Sequence, residues 1–319
     1  MHSIISSISV YEESIQVCVS DNCSSDDTEN IVRRAQEKIT IKYQKNSSNL
    51  GIPRNFLKVV EMAEGEFVWM IGDDDLLLPC AIKELLNIID ENKGVDFFYI
   101  NAFHLSTKIV FSYSQPFDTV NLPTIMESFS TYKHGGAMKF MDLINPKVSF
   151  DFLGGMFLSV FRRKNWNLNA DVLDQKAITD LRTFSHFDNT FPHVKIFSKA
   201  FANSKAFFVP KPLSVCLYGA REWAPMQPLV MSVRLVEALE NYRRNGLPYF
   251  NYLYCKNYAL NNFIPDLGSM LFYRNTGLEY INPLRLVIYN CLFPNFYLSL
   301  FYFFIRKTKL LFKQIISKF

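Results

Sequence analysis

The six cysteines of this 319-residue chain, Cys18, Cys23, Cys80, Cys216, Cys255 and Cys291, include no C-x-x-C pair and no histidine at ligand spacing. That pattern excludes a zinc finger or ribbon and points to reduced thiols in a cytoplasmic protein. Charge of one sign is also scarce: 34 Lys and Arg face 30 Asp and Glu, for a net charge of +4. So mild a balance gives no case for a nucleic-acid partner. Residues 1–10 lack both a basic leader and an unbroken apolar run, so no signal peptide is expected. No internal repeat and no low-complexity linker divides the chain. Aromatic residues, by contrast, are abundant, with 30 Phe and 16 Tyr crowding towards the second half. Such enrichment suits an acceptor groove or a surface that meets lipid. The length allows one large α/β domain with an appendage, or two small domains.

The first third alternates strand-like and helix-like segments, the pattern of a parallel sheet flanked by helices. Residues 15–20 read as a buried strand, followed by a polar loop whose Ser25, Asp26 and Glu29 can cap a helix running to about Lys38. Residues 39–44 form the next strand. Pro53 opens a helix in which Phe56, Val59, Val60 and Ala63 recur at helical spacing. Residues 67–71 are apolar throughout and predict a strand at the sheet centre. The Gly72-Asp73-Asp74-Asp75 after it falls at the carboxyl end, where open α/β sheets bind ligands. A helix over residues 79–90 and a strand over 95–101 complete this run. Periodicity fades over 103–148, predicting irregular structure on the acceptor side. Residues 150–161 read as buried strand or turn around Gly154-Gly155, residues 187–201 are helical in pattern, and the chain after Pro212 is helical and aromatic. Residues 1–13 predict a helix where a doubly wound sheet ordinarily opens with a strand.

Three adjacent aspartates repel one another unless a cation or hydrogen-bond donors compensate them. Hard oxygen ligands suit Mg²⁺ or Mn²⁺, which takes one or two protein carboxylates and fills the rest of its shell with phosphate oxygens and water. A nucleotide diphosphate fits that vacancy. A solvated acidic turn capping the next helix accounts for the same three residues equally well.

Four segments then appear in order: Ser20-Asp21-Asn22-Cys23-Ser24-Ser25-Asp26-Asp27-Thr28; Asn49-Leu50-Gly51 with Arg54-Asn55; Ala63-Glu64-Gly65-Glu66; and Gly72-Asp73-Asp74-Asp75. Over residues 17–79 this ordered set resembles the family 2 glycosyltransferases of the A-type nucleotide-diphospho-sugar fold (GT-A), in particular the abequosyltransferase-like O-antigen branch. The resemblance implies a GT-A-like, doubly wound, mostly parallel sheet with helices on both faces, followed by a helical aromatic C-terminal extension. It implies a catalytic domain over residues 1–215, with the nucleotide-sugar part at about 1–102 and the acceptor part at about 103–215, and a membrane-associating extension over 216–319. The implied reaction is inverting transfer from a nucleotide-diphospho-sugar donor to a lipid-linked saccharide acceptor, as in O-antigen, lipopolysaccharide or capsule biosynthesis.

By that resemblance Asp21 and Asn22 bind the nucleobase, and Arg54 and Asn55 line the same pocket. Asp73 faces the ribose or sugar and the metal, Asp75 ligates a divalent cation (Mg²⁺ or Mn²⁺), and Asp74 bonds the donor sugar or supports the cluster. The general base is Asp188, with Asp180 and His193 as competitors. Arg221 and Trp223 are candidates to close over the diphosphate. An Asx turn or helix cap remains the alternative for Asp21, Asn22 and Asp188, and a surface ion pair for Arg54. The family's opening strand and its nucleotide-touching turn have no counterpart here. That departure keeps a non-catalytic nucleotide-sugar-binding module open as an alternative. A sugar nucleotidyltransferase would need a Gly-rich, Arg-containing loop near its first strand, which is missing.

Residues 286–305 carry no charge but are interrupted by Asn290, Pro294 and Asn295, while residues 306–319 carry Arg306, Lys307, Lys309, Lys313 and Lys318 among apolar residues. This pattern predicts an amphipathic helix lying in the interface of an anionic membrane, the cytoplasmic face of the inner membrane, in preference to a true span.

Overall fold

The computed structural model describes residues 1–8, 14–113, 119–123, 126–219 and 223–316; beyond Ile305 the only side chain described is that of Thr308. The chain opens with helix α1 (His2–Ile8) and continues through β1 (Val17–Asp21), α2 (Thr28–Gln36), β2 (Ile41–Lys45), α3 (Ile52–Met62), β3 (Phe67–Trp69), β4 (Asp75–Leu77), α4 (Ala81–Glu91) and β5 (Phe97–Ser106). The first third therefore has the expected element order apart from β4, a short strand that was not expected between the aspartate turn and α4. Of the helix expected over residues 1–13, residues 9–13 lie outside the described ones. Helix α2 buries Val32 and Ala35 and turns Glu29, Arg33 and Arg34 to water, so its apolar stripe fixes which face meets the sheet. Helix α3 begins after Gly51, whose φ of 79° favours glycine, and carries Pro53 in its first turn, where a missing amide donor costs nothing.

After the short helix α5 (Thr107–Val110) come β6 (Glu127–Ser128), β7 (Gly136–Lys139), β8 (Ser159–Arg162) and four short helices: α6 (Arg163–Asn167), α7 (Gln175–Thr179), α8 (Phe187–Thr190) and α9 (Pro192–Ala200). Then comes the long β9 (Lys205–Tyr218). The main sheet has the order β3-β8-β5-β9-β4, with β6 beside β5 and β7 beside β9. The sheet is mixed. Strands β5 and β9 pair in parallel, whereas β3, β4, β6, β7 and β8 meet their neighbours antiparallel.

Strands β1 and β2 pair in parallel with each other as a separate two-stranded sheet. Side chains join this small sheet to the large one at its lower end. Gln16 Oε1 accepts the Glu64 amide at 2.8 Å, and Lys42 Nζ reaches Glu64 Oε1 at 2.7 Å. The beginnings of β1 and β2 thus meet the segment that leads into β3.

Strand β3 corrects one expectation, because it ends the hydrogen-bonded path of the main sheet instead of occupying its centre. It is apolar throughout because both faces are covered. Val68 and Met70 join one core cluster, and Phe67, Trp69 and Ile71 pack against another. Burial of faces, not position in the ladder, erased the alternation. The central strand is β5, whose Phe97, Phe98, Tyr99 and Ile100 have no exposure at all. Phe97 packs edge-on against Phe140, Phe197 and Phe201, and Phe161 stacks on Trp166 at 4.9 Å. Much of the aromatic excess is therefore core.

The chain after Pro212, expected to be helical, instead stays in β9 to Tyr218, where Leu213, Val215 and Cys216 are buried in the main sheet; the helices follow later: α10 (Gln227–Leu229), one turn of π-helix (Val230–Arg234), α11 (Leu235–Arg244), α12 (Tyr249–Ala259), α13 (Phe263–Phe272), α14 (Pro283–Asn290) and α15 (Pro294–Ile316). Helix α15 docks through Phe296 on Phe263 and through Ser299 Oγ, which accepts the Ile264 amide. No single helix among the described residues is long and apolar enough to cross a membrane. The α14–α15 pair passes that test together but is bent by 107°. Leu292 in the break between them and Phe301 and Phe304 on α15 stay exposed, as do Phe250 on α12 and Phe272 on α13. The basic side chains expected to face lipid, Arg306, Lys307, Lys309, Lys313 and Lys318, lie outside the described ones.

Candidate active site

Asp21 ends β1 with 4% of its surface exposed. Its Oδ1 accepts the Ser24 amide at 2.7 Å and its Oδ2 accepts the Tyr43 hydroxyl at 2.7 Å. Burial pushes the carboxyl pKa up, but those two donors outweigh it and hold the group below its usual range, ionised at neutral pH. Burial and the bond to Asp21 in turn push the Tyr43 phenol up to about 12. The turn that delivers the Ser24 amide needs Cys23 in the left-handed region, at φ 69°. In place of an Asx turn, the Asp21 side chain reaches the amide three residues on, and it leaves the carboxylate charged at a strand end.

Asn22 and Asn55 are held in one amide network. Asn22 Oδ1 accepts the Leu50 amide at 2.8 Å, and its Nδ2 donates to Asn49 Oδ1 at 2.8 Å. Asn55 Oδ1 accepts from Ser20 Oγ at 2.7 Å and from Asn46 Nδ2 at 3.1 Å. The network ties the ends of β1 and β2 to the start of α3. Arg54, one residue earlier on the helix, points elsewhere. It is exposed and lines a cleft of about 610 Å³ with Gln44, Lys45, Asn46 and Lys58. Asn55 and Arg54 therefore do not share one wall, and Asn46 is the residue common to the network and the cleft. Neither Asn46 nor Tyr43 stood out in the sequence. The usable signal was pairing: in parallel register with β1, β2 sets Tyr43 opposite Val19 and Lys45 opposite Asp21.

The aspartate turn divides its three carboxylates. Asp73 and Asp74 are exposed, whereas Asp75 is buried at the start of β4. Gly72 donates its amide to Asp75 Oδ2 at 3.1 Å and accepts the Asp75 amide at 3.3 Å, closing the turn on itself. A Cβ at Gly72 would lie 2.8 Å from Asp74 Oδ1 and 3.0 Å from Asp75 Oδ2. Two hard oxygens thus converge beside a backbone position that has no side chain. No three His, Cys, Asp or Glu groups among the described residues cluster as a self-sufficient metal cage. Two convergent carboxylates fit a cation of the Mg²⁺ type that completes its shell with phosphate oxygens and water.

Gly154-Gly155 belongs to a tight buried turn. Asp151 accepts the Ser149 hydroxyl at 2.8 Å and the Gly155 amide at 2.7 Å, and Leu153 donates its amide to Ser149 Oγ. Phe152 and Leu153 both have positive φ, 52° and 68°, a strained conformation for bulky residues that the surrounding bonds enforce. Burial raises the Asp151 carboxyl above its ordinary range. His193 reaches the Gly154 carbonyl through Nε2 at 3.0 Å, and burial pushes its pKa down to about 4. His193 is 3% exposed and packs against Phe56, Phe191 and Phe197, the surroundings of a core residue.

Asp188 is buried at the start of α8, and its Oδ2 accepts the Asp174 amide at 2.7 Å and the Lys195 ammonium at 2.5 Å. Asp180 is forked by the Arg182 guanidinium and also accepts from Ser185 Oγ, which together hold it far below the usual carboxylate range. A carboxylate so strongly stabilised is a poor proton acceptor. Trp223 packs against Phe184, and Arg221 lies outside the described residues.

Residues 1–141 match the sequence model of Glycosyl transferase family 2. The abequosyltransferase RfbV of Salmonella typhimurium is 37% identical over 83 residues, 25% of each chain. The poly(ribitol-phosphate) beta-N-acetylglucosaminyltransferase TarS of Staphylococcus aureus is 36% identical over 80 residues, 24% of this chain and 14% of TarS. The chain thus aligns with a quarter or less of the length of these relatives. Among solved structures, TarS residues 1–349 in complex with UDP superposes with a TM-score of 0.54 at 16% identity, covering 86% of this chain and 70% of that one. A likeness at that identity establishes a shared GT-A-like fold.

Proposed function

We propose that this chain, whose first 141 residues match the sequence model of Glycosyl transferase family 2, is an inverting glycosyltransferase. It moves a sugar from a nucleotide-diphospho-sugar to a lipid-linked saccharide in surface-polysaccharide assembly, from a position on the cytoplasmic membrane surface. One observation carries the reading: a buried, ionised Asp21 and the split aspartate turn stand at the carboxyl ends of strands whose beginnings are bonded together through Glu64.

In this reading Asp21 accepts an N–H of the nucleobase. The amide network of Asn22, Asn46 and Asn55 keeps that strand end rigid, so little ordering is lost when the base docks. Arg54, with Lys45 and Lys58 in its cleft, supplies positive charge beside the nucleotide. Asp74 and Asp75, with Asp73 at the turn's tip, would hold a divalent cation, which when bound neutralises charge developing on the leaving diphosphate. Asp188, whose Oδ2 is bonded to the Lys195 ammonium, takes the proton of the acceptor hydroxyl. Relatives support the donor class, since TarS has been solved with both UDP and UDP-GlcNAc. The O-antigen assignment rests on the RfbV match, and the membrane assignment on the exposed apolar α14–α15 pair.

The test is a calorimetric titration with UDP-, GDP-, CDP- and dTDP-sugars in Mn²⁺ and in chelator, with donor hydrolysis followed on the same preparation. The reading requires micromolar binding of one donor in metal and slow turnover. Affinity without turnover would make the chain a binding module, and no binding of any donor would refute the reading.

A further inference from the structure

The C-terminal helices reach with buried polar groups into the segment that carries Asp188. Arg234 closes the π-helical turn Val230–Arg234 and is 4% exposed. A guanidinium has five N–H donors, and here each has an acceptor. Nε and Nη2 both donate to the Phe184 carbonyl, at 3.2 and 3.0 Å, and Nη2 donates again to the Ser185 carbonyl at 2.7 Å. Nη1 reaches the two Glu237 carboxylate oxygens at 3.0 and 2.8 Å. We propose that Arg234 is a positioning residue for transfer, holding residues 180–186 in the conformation that presents Asp188 to the acceptor hydroxyl, an inference that rests on the reading of Asp188 as base and extends it to the C-terminal helices.

The held segment is strained. Phe184 has a φ of 58°, a left-handed conformation that a bulky residue keeps only where its surroundings over-determine it. Arg234 supplies that constraint at the strained residue's own carbonyl. Further bonds carry it to the helix of the base. Ser185 Oγ donates to Asp180 Oδ2 at 2.9 Å, and Asn189, the neighbour of Asp188, donates through Nδ2 to the Asp180 carbonyl at 2.7 Å and the Arg182 carbonyl at 3.0 Å. A shift of residues 184 and 185 is therefore passed on to α8.

The same stretch of helix holds a second strained turn. Tyr242, just over two turns further along and fully buried, donates its hydroxyl at 3.0 Å to the carbonyl of Phe152, whose φ is 52°. That turn is joined through the Gly154 carbonyl to His193, just beyond α8. Both flanks of α8 thus hang on Arg234 and Tyr242. Apolar residues of like volume often stabilise a core as well as a buried ion pair does, so five bonds with three of them aimed at one loop argue for fixing a conformation. Single π-helical turns also recur at functional sites.

Arg234→Lys keeps the charge, but an ammonium cannot fork two carbonyls and a carboxylate together. The amides of Ser185, Thr190 and Phe191, which donate to the carbonyls of Arg182, His186 and Phe187, report on the loop by hydrogen exchange in the full chain. Without ligand they should exchange at least tenfold faster in the variant, while amides of β5 stay as they were. The kinetic probe is hydrolysis by water of the nucleotide sugar selected by the calorimetric titration. Arg234→Lys should lower kcat about ten- to a hundredfold with KM within about threefold, because a misplacement of about 1 Å can cost about a hundredfold. In the Asp188→Asn background the same substitution should cost less than about threefold more, since residues that act as a unit are not additive. Glu237→Gln, at a side chain 40% exposed, threatens the fold less and should give the same pattern more weakly. Unchanged exchange, unchanged kcat or full additivity with Asp188→Asn would overturn the proposal, and a loss of hydrolysis in Asp188→Asn would then leave the base assignment standing. No hydrolysis by the wild-type chain, or full hydrolysis by Asp188→Asn, would instead remove that assignment and this proposal together.

Discussion

Replacing Tyr43 by Phe removes one oxygen and keeps the ring, so it isolates the 2.7 Å bond to Asp21. Asp21 is buried and charged, and a hydrogen bond to a charged group is worth about 1.5–3 kcal/mol, more than a neutral one. Tyr43→Phe should therefore lower the unfolding free energy by about 2 kcal/mol at pH 7, read as a shift of the urea midpoint at unchanged slope. The pH dependence follows from the same bond. A carboxyl with a depressed folded pKa contributes stability above its unfolded value, about 3.9, and loses that contribution as pH falls towards the folded value. The gap between wild type and variant should hold constant from about pH 8 to pH 5 and narrow below about pH 4. Nucleotide affinity should fall as well, because Asp21 would lose one of the two named donors that keep it oriented and ionised. An unchanged urea midpoint at pH 7, or a gap that widens in acid, would refute the account of Asp21 as a buried charge stabilised by Tyr43.

Asp75→Asn should weaken metal-dependent nucleotide binding at least tenfold by calorimetry and leave binding in chelator unaltered. Asp188→Asn should bind donor as wild type does but transfer sugar roughly a hundredfold more slowly, and transfer within about threefold would remove Asp188 from the base role. Gly154→Ala brings a methyl within 3.0 Å of the Asp151 carbonyl and 3.2 Å of the Phe191 ring, so chemical denaturation should show a loss of about 1–3 kcal/mol. Deleting residues 306–319 should release the protein from vesicles containing anionic lipid, and raising salt should do the same for the full chain.

The order of the long elements in the first third was legible because strong period signals and Pro53 agreed with one another. The placement of β3 was not, since an apolar run reports that both faces are covered and says nothing about which strands bond its edges. For the site, Asp21 and the aspartate turn could be located because strand ends and acidic turns are local features. The split between exposed Asp73 and Asp74 and buried Asp75 was invisible, as it depends on β4 pairing with a strand some 140 positions away, at Cys216. The roles of Tyr43 and Asn46 likewise depend on lateral pairing. Aromatic enrichment was ambiguous in principle: Phe97, Phe140 and Phe197 build the core, Phe129 and Phe150 a half-open row, and Phe272 and Phe304 an exposed face, all from the same residue type.

The division of the sheet has a consequence for how the molecule opens. Among the described residues no backbone ladder links β1 to β3, and the named ties between their beginnings are side-chain bonds at Glu64. With α2, the β1–β2 pair forms a unit with its own small cluster of Val32, Ala35, Ile39 and Ile41. Such a unit is a candidate for sub-global unfolding at a free energy below that of the whole. Amide hydrogens of Val17–Asp21 should exchange through this local route, ahead of those of Phe97–Ile100. A nucleotide gripped by Asp21 on one unit and by the aspartate turn on the other would act as the missing cross-link, slowing exchange in β1 in proportion to its occupancy. Donor recognition would then double as the step that closes the fold.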